Sequence, residues 1–102
     1  MLPRPFPRDV VRDLLGIARA LYRAERAKPL PDPSWLARLA DAGRLLRRAL
    51  DMAGKHGPDT LGGRAALDWA EKGTEALGQL VADSEPIARA VAATAARLRR
   101  RR

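Results

Sequence analysis

Proline and glycine cut this chain into four stretches, and no other feature constrains its fold as strongly. Pro29, Pro31 and Pro33 alternate along one break, Gly54-Lys55-His56-Gly57-Pro58 forms a second, and Asp83-Ser84-Glu85-Pro86 a third. Proline lacks the backbone donor a helix interior needs, and its ring clashes with the preceding turn, so helix must stop at each break. Between the breaks the apolar residues recur at helical spacing, never with the alternation of a half-buried strand. The first stretch has Val10, Val11, Leu14, Ile17, Ala18, Leu21 and Tyr22; the second Trp35, Leu36, Leu39, Ala42, Gly43, Leu46, Leu50 and Ala53. The third has Ala66, Trp69, Ala70, Gly73, Ala76, Leu77, Leu80 and Val81, and the fourth Ile87, Val91, Thr94, Ala95 and Leu98.

The flanking residues set the ends. The first helix is expected over 8–27, after an extended arm in which Pro3, Pro5 and Pro7 alternate. Asp32 is the expected N-cap of a second helix with Pro33 at its first position, running to Ala53. Asp59 or Thr60 is expected to cap a third helix reaching Ala82, and Ser84 a fourth that carries Pro86 in its first turn and runs into the terminal arginines. Short connections between amphipathic helices imply antiparallel neighbours. The expected fold is therefore all-α: a compact up-and-down bundle of four short helices over 8–98. A proline-rich arm (1–7) and an arginine-rich tail (99–102) flank it. Leu, Ile, Val and Phe together number 22 of 102 residues, just above the level at which disorder becomes the default, so the core is modest. Gly62, Ala66, Ala70 and Gly73 are expected to let the third helix approach its neighbours closely, with the tryptophans filling the remaining space.

Charge is unevenly spread. The net charge is +8, with 17 arginines against 3 lysines. A GC-rich coding sequence accounts for part of that excess. The third stretch is acidic, through Asp68, Glu71, Glu75 and Asp83, while the other three are basic. In the first helix Arg8, Arg12, Arg19, Arg23 and Arg26 fall within a wedge about 60° wide that contains no acid. Such a stripe repels itself, and an anionic partner relieves the repulsion. Arg97, Arg99, Arg100, Arg101 and Arg102 form a second basic cluster, larger than the helix dipole alone needs. Leu45 and Met52 share a line on the second helix, away from its core stripe, with Arg38, Asp41 and Arg48 beside it. That line is either a contact with a second neighbouring helix, the first or the fourth, or a protein interface.

The chemistry of catalysis is sparse. There is no cysteine and a single histidine, His56, which excludes a thiolate nucleophile and a multi-histidine metal site. His56 sits in the glycine-rich break near Asp59, which reads as loop structure. Leu61-Gly62-Gly63-Arg64 lacks the Gly-Lys-Ser/Thr ending of a phosphate loop. No enzyme, metal or cofactor is expected. The reading is a monomeric basic module that binds an acidic macromolecule. Nucleic acid held through phosphate contacts is the first expectation, and an acidic protein surface, met by an adaptor or antitoxin-like module, the second. No apolar stretch spans a bilayer or forms a secretory leader, and the helices are used up in the bundle, so a cytoplasmic protein away from membranes is expected.

Overall fold

The computed structural model describes residues 6–57 and 60–100. Four helices follow one another: α1 (Arg8–Arg26), α2 (Pro33–Lys55), α3 (Leu61–Leu80) and α4 (Glu85–Arg100). No strand occurs among the described residues. Met1–Pro5 of the expected arm, Pro58, Asp59 and the last two arginines lie outside the described residues.

The caps explain the helix starts. Asp32 Oδ1 accepts from the backbone N–H of Ser34 (2.9 Å) and of Trp35 (3.3 Å), with Pro33 in the position where a missing donor costs nothing. Thr60 Oγ1 accepts from the Gly63 N–H at 3.0 Å and donates to the Gly57 carbonyl at 2.7 Å, joining the break to α3. α1 has no side-chain cap; the Pro7 carbonyl accepts from Val11 N–H instead. The ends differ from expectation by one or two residues. α2 continues through Gly54 to Lys55, because Met52 O accepts from His56 N–H and Ala53 O accepts from Arg8 across the bundle. α3 stops at Leu80, where Val81 leaves helical geometry and its carbonyl accepts from Ser84 N–H in a turn.

Consecutive helices pack against each other, and α4 closes back onto α1. Antiparallel packing is fixed by contacts between opposite ends: Arg8 at the start of α1 reaches Ala53 near the end of α2, and Arg97 near the end of α4 reaches Asp9 and Asp13 near the start of α1. The core holds Val10, Val11, Leu14, Leu15 and Ala18 from α1, Leu39, Ala42, Leu46 and Ala49 from α2, Ala70 and Leu77 from α3, Val81, and Val91 and Leu98 from α4. Leu15 and Ala49 join it beyond the expected set. The tryptophans do not fill the space beside the small residues of α3. Both are only half-buried, and Leu46 occupies that space, against Gly73. Tryptophan is too large to enter a seam where two helices approach this closely.

The break between α1 and α2 is tied down by Glu25, the one buried charged side chain among the described residues. Its Oε2 accepts from the Asp32 backbone N–H at 3.2 Å, and its Oε1 pairs with Lys28 Nζ at 3.0 Å. A carboxylate in the last turn of α1 thus anchors the residue that caps α2.

Candidate nucleic-acid interface

α1 turns its apolar side to the core and leaves an exposed face divided by charge. Arg8, Arg12, Arg19, Arg23 and Arg26 are all exposed, and the first three line the seam with α2. Asp9 and Asp13 lie on the half next to α4, where Arg97 meets them: its two guanidinium nitrogens reach Asp13 Oδ2 at 2.9 Å and Asp9 Oδ2 at 3.1 Å. Arg97, counted with the basic tail from sequence, is thus an interhelical clamp on the side of α1 away from the stripe. The side chains of Arg99 to Arg102 lie outside the described residues.

The stripe does not stand alone. A groove of about 420 Å³ between α1 and α2 is lined by Arg8, Arg12 and Arg19 on one wall and by Arg47, Leu50 and Asp51 on the other. A second, of about 300 Å³, follows along the same seam, with Arg19 and Tyr22 facing Arg44 and Arg47 over an apolar floor that includes Leu15 and Gly43. Two carboxylates temper this surface: Asp41 pairs with Arg44, and Asp51 with Arg47 at 3.5 Å. The wedge that is free of acids along α1 is therefore met by Asp51 from α2. Arg8 donates to the Ala53 carbonyl at 3.1 Å. Arg12, Arg19, Arg23 and Arg26 make no ion pair with the described residues. Arg23 and Arg26 occupy the last turn of α1, where the helix dipole favours cations.

Around α2 from this seam lies a third groove, of about 540 Å³. It is lined by Arg44, Leu45, Arg47, Arg48 and the half-buried Trp69 of α3, with Asp41 and Asp51. The Arg48 guanidinium lies 4.8 Å from the centre of the Trp69 ring and the Lys72 ammonium 5.3 Å from it. Leu45 and Met52 are half-buried, and Leu45 borders Trp69. The second neighbour of α2 is α3; α2 and α4 do not touch among the described residues. Sequence alone does not join Arg44, Arg47, Arg48 and Trp69 into one surface, because periodicity gives each helix a face without saying which faces adjoin.

The far side of the bundle is different in kind. Between α3 and α4 a cleft of about 820 Å³ has Glu71 and Glu75 along one wall and Val91, Ala92, Ala95 and Leu98 along the other. That cleft carries two glutamates where the α1–α2 seam carries five arginines, tempered by Asp51.

His56 lies against the backbone of Gly62, in the first turn of α3. The Gly63 N–H there is already bonded to Thr60. Among the described residues no three His, Asp or Glu side chains gather as a metal site would need, and no helix is long and apolar enough to cross a membrane. Comparison of the chain with protein-family models, with curated proteins and with solved structures finds no match.

Proposed function

We propose that this protein is a non-enzymatic cytoplasmic module that binds nucleic acid through its phosphates, along the seam between α1 and α2. The observation that supports this most directly is the row Arg12, Arg19, Arg23 and Arg26, exposed along one helix and without a carboxylate partner among the described residues. A polyanion with regularly spaced charges relieves the repulsion within such a row, and each contact releases condensed counterions. Arginine suits the task, because its planar fork meets two phosphate oxygens at once. Arg44 and Arg47, already oriented by Asp41 and Asp51, widen the track across the seam. Phosphate contacts fix register and carry no base information, so binding is sequence-tolerant.

Docking of an acidic protein is the competing reading, and the half-buried Leu45 in a groove with three arginines is the feature in its favour. A mobility-shift titration separates the two. A duplex should shift at micromolar protein in about 50 mM salt and be released as salt rises. Changing Arg12, Arg19 and Arg23 together to Gln should weaken the shift while the circular dichroism spectrum stays helical. A wild-type protein that shifts no nucleic acid at low salt hands the surface to an acidic protein.

A further inference from the structure

We propose that Trp69 is a stacking platform for one unpaired base of a nucleic-acid strand whose phosphates follow the arginines of α2 and α1. This rests on the nucleic-acid reading above and adds to it the strand form that the surface prefers. Three observations carry it. The first is exposure: Trp69 packs against the core but is only half-buried, and it opens onto a groove of about 540 Å³. The second is the pair of cations at its ring, Arg48 at 4.8 Å and Lys72 at 5.3 Å, neither in an ion pair with the described residues. The third is continuity: Arg44 and Arg47 line both the Trp69 groove and the α1–α2 seam, so one strand can touch both without leaving basic surface.

The chemistry of a strand fits these parts. Stacking of a base on an indole outweighs an exposed cation–π contact, so a base displaces Arg48 from the ring. The two carboxylates of the groove, Asp41 and Asp51, already pair with Arg44 and Arg47, so the displaced guanidinium takes the phosphate beside the stacked base. Every base has a π-face, so the site adds affinity without adding sequence preference. A duplex keeps its bases stacked on one another and offers none to Trp69. The platform therefore acts on single strands, loops and frayed ends.

The test uses tryptophan emission in a Trp35→Phe protein, where Trp69 is the one remaining indole. Titration with a thymidine oligonucleotide at low salt should quench that emission saturably, and a duplex of the same length should bind with little quenching. In the full chain, Trp69→Leu should weaken single-strand binding by at least about fivefold and leave duplex binding within about twofold, whereas Trp69→Phe should restore part of the loss. Circular dichroism of both variants establishes that they are folded. Binding of the single strand without quenching, with Trp69→Leu binding both forms as the wild type does, overturns the stacking site and leaves the phosphate track standing. Failure of the wild type to bind either form overturns both.

Discussion

A Cβ on Gly73 would lie 2.8 Å from Leu46 Cγ and 3.1 Å from the Leu46 backbone nitrogen. α2 and α3 thus touch at backbone distance, at a fully buried leucine. Gly78, in the next turn but one of α3, has nothing within 4 Å of where its Cβ would be. The same substitution should therefore have opposite signs at the two positions. Gly73→Ala forces the seam apart and should cost about 1–3 kcal/mol. Gly78→Ala gains helix propensity and should stabilise by about 0.4–1 kcal/mol. Thermal denaturation followed by circular dichroism reads both.

Leu46 should be costlier to truncate than Trp69. Leu46→Ala empties a site with no exposure and should cost about 2–5 kcal/mol. Trp69→Ala should cost less than Leu46→Ala, because the indole is not fully buried and part of it faces the groove. Urea denaturation of the two variants ranks them, and a larger loss at Trp69 would place the indole in the core.

Glu25 should matter more than its place at the end of a charged helix suggests. Removing its carboxylate leaves the Asp32 N–H without its acceptor and frees the break that positions the α2 cap. Glu25→Ala should cost about 1–3 kcal/mol, read as a lower urea midpoint. Lys28→Ala removes only the exposed half of the pair and should cost at most about 1 kcal/mol.

The clamp between α4 and α1 should contribute modestly and be sensitive to salt. Arg97 and its two aspartates are each roughly half exposed, so Arg97→Gln should cost about 0.2–1 kcal/mol per lost pair, less at high ionic strength. Native-state hydrogen exchange should show the loss first in α4. An unchanged exchange rate in α4 would mean that Val91, Ala95 and Leu98 hold the helix without help from Arg97.

These residues also mark what could be read from the sequence. Asp32 and Thr60 cap as their types and positions require, since capping is settled within three or four residues. Buried faces follow from periodicity, so Leu14, Leu39, Leu77 and Leu98 lie where helical spacing puts them. Adjacency between faces does not follow from periodicity. Arg97 meets Asp13 across 84 positions, and Arg47 joins Arg12 only because α1 and α2 turn those edges together. Glu25 was hidden for the same reason: its acceptor role depends on how the proline-rich break folds back. The α1 stripe was legible as a stripe, but Asp51 beside it and the exposed Trp69 groove beyond it belong to packing.

The most direct measurement of the central claim is the salt dependence of duplex binding, wild type against Arg12→Gln/Arg19→Gln/Arg23→Gln. Each phosphate contact contributes about 0.9 to the slope of log K against log salt concentration, so losing three should flatten the slope by about 2.7. A variant with weaker binding and a slope flattened by that much places the phosphates on α1. A variant with the wild-type slope would contradict the account, whatever its affinity, because the charges that bind would then lie elsewhere on the bundle.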